Sequence, residues 1–226
     1  MTASASVPAS TSTSALERIR RIPERSRPDR ADLDSVLDAC CVGTLATVVD
    51  GLPWAVPMLY ARTGDRILLH GSTGAGALRH VAAGAPATLC VTLLDAIVVA
   101  DNLYNSSANY RSAVVRGNLE RVPDDVAESA LVTLSDTLIP GRSGEVREPT
   151  RKELAATLTI ALPIDPGQWT VKVRSGPPSE GDANPDVWAG LVPLRTVAAE
   201  PVRATWVRAD LPVPASVRAL VDRAGR

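Results

Sequence analysis

Apolar and polar positions alternate along the chain with two periods, and each change of period marks an element. Leu33, Val36, Leu37 and Cys40 recur at i, i+3, i+4 and i+7, which predicts a helix capped by Asp29. The period then shortens. Val42–Val49 reads as a strand, Asp50-Gly51 is a strong two-residue hairpin signal, and Trp54–Arg62 is the return strand, its ladder disturbed by Pro53 and Pro57. Thr63-Gly64-Asp65 turns the chain into Arg66–His70, completing an antiparallel meander. A helix over residues 75–83 closes at Gly84, and a long strand follows over Ala87–Val99, bent or interrupted near Asp95.

A polar connection, DNLYNSSANYRS, separates that strand from the next, Ala113–Leu119. Pro123-Asp124-Asp125 opens a helix with Val126, Ala130, Leu131, Leu134 and Leu138 on one face, and Pro140-Gly141 ends it. Thr150 and Glu153 fit a capping box before a short helix. Strands are expected at Leu158–Pro163, Trp169–Ser175 and Leu191–Ala198, with a Pro- and Gly-rich loop at 176–186 and a peripheral helix over Pro214–Ala224. These short strands with a few helices predict a mainly β fold, a β-barrel with peripheral helices rather than an alternating βαβ sheet. The domain is placed at 29–200, between a flexible N-terminal tail or arm (1–28) and a C-terminal extension (201–226).

Composition narrows the classes. The 226 residues suffice for one well-buried core. A net charge of −1 and 3% aromatic residues argue against a nucleic-acid binder, which needs a basic face or stacking platforms. Residues 16–30 carry six arginines against two Glu and one Asp, and read as a solvated arm or one lying across a partner subunit. Met1–Ala15, rich in Ser, Thr and Ala, lacks the features of a signal peptide and is expected to be disordered. No apolar run approaches the roughly 20 residues of a membrane span. Cys40, Cys41 and Cys90 are an odd set without C-x-x-C spacing, expected as reduced, buried structural thiols in a cytoplasmic protein.

The candidate chemistry centres on RILLHGSTGAGALRHVAAG, residues 66–84. Read as strand, loop and helix, it offers backbone N–H groups and the hydroxyls of Ser72 and Thr73 to an anion such as phosphate. It has neither the P-loop lysine nor the dinucleotide glycine spacing, so a capped helix without ligand is the alternative. His70 is a phosphate donor, a general acid, a metal or haem-iron ligand, or a plain strand-end histidine; His80 reads as a surface residue. Two histidines assemble neither a zinc site nor a hydrolytic triad, so no protein-built metal site is expected. Asp101, Tyr104 and Asn105 set substrate polarity or belong to a hydrogen-bonded loop. Tyr110 stacks on a ligand or plugs the barrel, and Trp54 and Trp169 read as core.

The succession GTLATV, DG, PWAVPMLY, ILLHGST, VTLLDAIVVA, NYRSAVVRGNLERV, VKVRSGPP and VWAGLVPL resembles the pyridoxamine-phosphate-oxidase-like flavoproteins, nearest to the branch that includes nitroimidazole-reductase-type proteins. The resemblance covers roughly Leu33 to Leu194 and implies an FMN-binding split β-barrel, a homodimer with two flavin sites at its interface. It places Pro57, Met58, Leu59 and Tyr60 along the isoalloxazine. His70, Gly71, Ser72 and Thr73 face the ribityl-phosphate, with Asn109, Tyr110, Arg111 and Ser112 near the same phosphate, Lys172 or Arg174 as a second cation, and Trp188 covering the flavin from the other subunit. An FMN-dependent oxidoreductase follows, acting on a small organic substrate with a nicotinamide or other electron donor. The same fold with haem or a deazaflavin is the second reading, and a cofactor-free binding protein or non-redox enzyme the third. The sequence departs from the pattern at Gly74–Gly76 and at Asp101, Asn102, Asn105 and Ser106, the expected substrate end.

Overall fold

The computed structural model describes residues 19–180 and 184–224, so the expected Met1–Ala15 tail lies outside the described residues. After a 3-10 turn, Pro23–Arg25, the elements are β1 (Ser26–Arg27), α1 (Arg30–Asp38), β2 (Val42–Val49), β3 (Leu52–Thr63), β4 (Arg66–Ser72), α2 (Gly76–Ala82), β5 (Pro86–Val99) and β6 (Ser107–Asn118). Then come β7 (Glu120–Arg121), α3 (Asp124–Leu138), a second 3-10 turn (Arg142–Glu145), α4 (Arg151–Ala156), β8 (Thr157–Pro163), β9 (Trp169–Arg174), β10 (Gly190–Pro193) and α5 (Ala215–Ala224). The strands form one antiparallel sheet in the order β1-β9-β6-β5-β2-β3-β4-β8-β7, with β10 added to the end of β5.

Local chemistry explains the frame. Asp50 and Gly51 both take positive φ, 51° and 77°, as a tight hairpin turn demands, and they set the β2/β3 register from Val49 opposite Leu52 to Val42 opposite Leu59. Pro53 and Pro57 leave that ladder intact, contrary to expectation. Tyr60 N–H donates to Cys41 O across the Leu59–Val42 pair, so Leu59, and by alternation Pro57 and Pro53, are positions whose nitrogen points away from β2. β4 pairs with β3 only from Tyr60 to Thr63, and the missing N–H groups fall on an open edge. The irregularity in β5 is a bulge at Asp95. Thr150 and Glu153 make both bonds of the capping box.

The inner face of the curled sheet carries Leu45, Leu89, Val91, Ala113, Val115, Ile67, Leu69, Ile160 and Leu162, closed by Leu33, Val36 and Leu37 of α1 and by Leu78 and Val81 of α2. The curl is tight: a Cβ on Gly117 of β6 would lie 3.3 Å from Leu162 of β8. Tyr60, 1% exposed, enters this core and donates its hydroxyl to Leu37 O at 2.7 Å; burial pushes the phenol pKa far up. Part of the outer face is covered, where Leu134 of α3 packs on Ala61, Leu68, Val122 and Ala161.

Several expectations are corrected. The NYRS stretch is not connection but strand, because β5 and β9 flank it and complete the ladders of residues 107–118. Strands β1 and β7, two residues each, escape a pattern that needs four or more positions. β10 ends at Pro193, well short of Ala198. On α3 the apolar stripe is wider than the surface it covers, and Val126 remains exposed. The cysteines are free thiols, but Cys41 and Cys90 are exposed rather than buried.

Candidate functional site

The sheet register places the candidate residues. His70 is the position after Leu69, whose partner on β3 is Tyr60, so His70 stands beside Leu59. Leu59 opposes Val42, and the β2/β5 register, extended beyond its last pair, sets Val42 level with Thr92. Thr92 opposes Ser112, and Ser112 opposes Lys172. By alternation His70, Leu59, Val42, Thr92, Ser112 and Lys172 all fall on the outer face; Leu59–Val42 and Thr92–Ser112–Lys172 are paired, while the β3/β4 ladder ends at Tyr60–Leu69 and the β2/β5 ladder at Thr44–Cys90, one and two positions short of joining them into a single row. The middle of this outer-face band is apolar, with Val42 and Leu59 each 45% exposed, its one end an imidazole, its other end a hydroxyl and an ammonium. Thr44, Pro57 and Cys90 form the row beside it on one flank. Leu94, Tyr110 and Arg174 form the row on the other.

Polar satisfaction singles out the same face. Among the described residues three buried side-chain polar atoms lack a hydrogen-bond partner: His70 Nδ1, Thr159 Oγ1 and Arg116 Nη1. All three belong to outer-face positions, and His70 and Thr159 are cross-strand partners between β4 and β8. Buried polar atoms are nearly always satisfied, so the neighbouring orphans His70 Nδ1 and Thr159 Oγ1 single out that part of the fold.

The remaining candidates divide. Arg111 and Ser112, adjacent on a strand, point to opposite faces. Arg111 lies level with Leu93 and Val173, where it clamps the carboxylate of the bulge residue Asp95 with Nε at 3.0 Å and Nη2 at 2.8 Å. That hydrogen bond holds the guanidinium pKa above its ordinary value. Asn109 is buried and structural: its Nδ2 donates to Gly176 O and its Oδ1 accepts from Arg174. Ser112 Oγ donates to Lys172 O at 3.4 Å. Ser72 Oγ accepts from Gly74 N–H, and Thr73 donates both its N–H and its hydroxyl to Ala156 O, so the loop is held by its own bonds. Met58 and Tyr60 turn their side chains inward, while Pro57 and Leu59 face out.

Gly71 has a packing duty. A Cβ there would meet the Cδ1 of buried Leu78 at 2.3 Å, so glycine is what lets α2 lie against β4. Gly71→Ala is expected to lower stability by about 1–3 kcal/mol, measured by urea unfolding. An unchanged midpoint would show that α2 yields freely.

The expected substrate group sits at the far tip of the β5/β6 hairpin. Asp101 accepts from Asn102 Nδ2 and from Asn184 N–H; Asn105 N–H donates to Asn102 Oδ1; Tyr104 is 93% exposed. Trp188 shares that end, because Gly190 pairs with Val99, and its ring folds back onto Gly190. From Thr92 to Val99 is seven residues, roughly 23 Å of strand, so one chain does not bring the tip to the band. Val42, Thr92 and Thr159 were missed from sequence. The hairpin register alone reaches Val42, whereas Thr92 and Thr159 depend on pairings between distant strands.

Among the described residues no group of three or more His, Cys, Asp or Glu is placed to hold a metal ion, and no helix is long and apolar enough to cross a membrane.

A single antiparallel sheet, curled until β6 meets β8 and open on an apolar outer face, defines a split β-barrel. The chain belongs to the pyridoxamine 5'-phosphate oxidase family, whose model matches residues 29–173. The FAD and heme binding protein from Mycobacterium smegmatis is 44% identical, with 87% of this chain and 97% of that one covered and a TM-score of 0.84. The flavocytochrome Anf3 from Azotobacter vinelandii is 30% identical, with 92% and 97% covered and a TM-score of 0.85. A candidate 5-nitroimidazole antibiotic resistance protein from Bacteroides thetaiotaomicron, 19% identical over 66% of this chain and 86% of that one, shares the fold with a TM-score of 0.55. No curated protein matches the chain significantly.

Proposed function

We propose that this protein is a flavin- and haem-binding redox protein that works as a homodimer. The observation that carries the reading is the outer-face band, in a chain 44% identical to a protein named for binding FAD and heme. The residues fit both groups. Val42 and Leu59 offer an apolar floor to a flat ring, and Ser112 and Lys172 offer a hydroxyl and an ammonium to its phosphate. Thr159 is the cross-strand partner of His70, and its hydroxyl and His70 Nδ1 both lack a partner; a small shift that joined them would leave Nε2 to an iron. When bound, a flavin passes hydride or single electrons and a haem passes single electrons. The chain's own part is to hold each ring and to shield the apolar face from water.

The dimer follows from the same surface. Val42, Leu59, Leu94 and Ile97 are all exposed on the outer face. A second copy covers these groups and brings its hairpin tip and Trp188 toward the first copy's band. The expected FMN widens here to a flavin, since FMN and FAD share the isoalloxazine and the first phosphate. The expected oxidoreductase activity on a small organic substrate is kept within this reading, with Asp101, Tyr104 and Asn105 reaching across from the partner.

The test is to denature the full-length protein after loading with FAD, FMN and haemin and to count what each chain retained. One flavin and one haem per chain support the reading. Retention of neither removes it.

A further inference from the structure

Beyond Lys172, at the end of the band, the 3-10 turn and β1 fold against β9, Ser26 opposite Lys172 and Arg27 opposite Val171. Between them lies a cleft of about 350 Å³, lined by Arg25, Arg27, Arg174, Ser175 and Ser179, with Glu24 its one acid. Arg25, Arg27 and Arg174 are half-buried, and none meets a carboxylate at ion-pair distance among the described residues. By contrast Arg30, Arg62, Arg111, Arg142 and Arg147 each sit on an acid. Arg174 is also fixed in place, its Nη1 donating to Ala108 O at 3.0 Å and to Asn109 Oδ1 at 3.1 Å. Arg174 and Arg25 repel each other, Arg27 donates its Nη1 to Glu24 O and Ser26 O, and Glu24 is the one acid lining the cleft, so positive charge is in excess there. Burial, and then the charge of Arg25, hold the Arg174 pKa below its ordinary value. An anion relieves both costs.

We propose that this cleft is a binding site for a nucleotide diphosphate and that it receives the adenosine-diphosphate half of FAD. The assignment rests on the flavin reading for its occupant. The spacing points to a diphosphate: Lys172 and Arg174 share the outer face two residues apart on β9, roughly 7 Å, so a phosphate at Ser112 and Lys172 has its continuation at Arg174. A guanidinium pairs two N–H donors with phosphate oxygens, and Ser175 and Ser179 add hydroxyls. A haem held by His70 of the same chain is five strand spacings of about 4.8 Å away along the sheet, beyond the reach of its propionates. FMN ends before the cleft, whereas FAD fills it. The six-arginine arm thus gains a purpose: its last part, Arg25 and Arg27, selects the dinucleotide.

The experiment titrates the full-length protein and its Arg25→Gln/Arg27→Gln variant with FAD, FMN and ADP. FAD affinity is expected to fall at least about tenfold in the variant while FMN affinity stays within about twofold. ADP is expected to bind the natural sequence, to compete with FAD, and to weaken with added salt. Equal losses for FAD and FMN, no loss for either, or a variant that loses haemin affinity instead would overturn the assignment. If neither flavin binds, ADP decides alone. Binding that disappears in the variant keeps the diphosphate site while the flavin reading fails, and no ADP binding ends both.

Discussion

His70→Ala is expected to abolish stoichiometric haem retention, lowering haemin affinity by more than about a hundredfold, while the fold and flavin binding persist. The fold tolerates the change because His70 Nδ1 has no hydrogen-bond partner, so no bond is lost. Stability should stay within about 0.5 kcal/mol, the usual range for a substitution that removes no core contact or network. The haem effect would be large because, in the proposed function, the His70 imidazole supplies the hold on the iron. Thr159→Val removes the unpartnered hydroxyl on the strand beside His70; if that hydroxyl takes up the Nδ1 proton when haem binds, haemin affinity should fall by roughly 10–100-fold. Added imidazole should restore the Soret band of His70→Ala. A Soret band of full intensity in the variant without imidazole would show that the iron is held elsewhere.

Leu59→Glu is the second large effect. Leu59 lies at the middle of the outer-face band, 45% exposed in the single chain, so a carboxylate there is solvated while the protomer is alone. In the proposed dimer the same carboxylate, beside Val42, would be buried under the second copy, and an unpaired buried charge costs several kcal/mol. The variant is expected to sediment as a folded monomer, to lose flavin affinity by at least about a hundredfold, and to melt at a lower temperature that no longer depends on protein concentration. A Leu59→Glu protein that remains dimeric and binds flavin fully would place the interface and the ring on another surface.

Much of this architecture was legible in the order of residues. Asp50-Gly51 fixes the β2/β3 register without any knowledge of the rest, because a two-residue turn leaves one pairing, and from it the partnership of Val42 with Leu59 follows by counting. The capping box at Thr150 and Glu153, the helix over Leu33 to Leu37 and the break at Asp95 are local signals of the same kind. What counting does not reach is the pairing of strands far apart in sequence. The polar stretch Asn109–Ser112 looks like loop because its strand character comes from β5 and β9, one before it and one some sixty residues later. That also hides the separation of Arg111 from Ser112. Treated as loop residues, both reach one phosphate; as strand neighbours, they face opposite sides, and the bulge at Asp95 supplies Arg111 with a carboxylate. Tyr60 is similar. Its place in the sequence is beside the outer-face residue Leu59, but the alternation of the strand sends its ring into the core to meet Leu37 O. The cationic cleft of Arg25, Arg27 and Arg174 was visible in composition only as an arginine-rich arm, because β1 is two residues long and its docking on β9 leaves no pattern.

The central claim is that one apolar face of a split barrel holds a flavin and a haem on the same protein. Its most direct measurement is the visible absorbance of the full-length protein after loading with both and removal of excess, recorded oxidised and then reduced. The predicted result is a flavin band that bleaches on reduction together with a Soret band that shifts, in equal molar amounts per chain. A protein that carries neither band, or only one of the two, after loading would contradict a face that holds both.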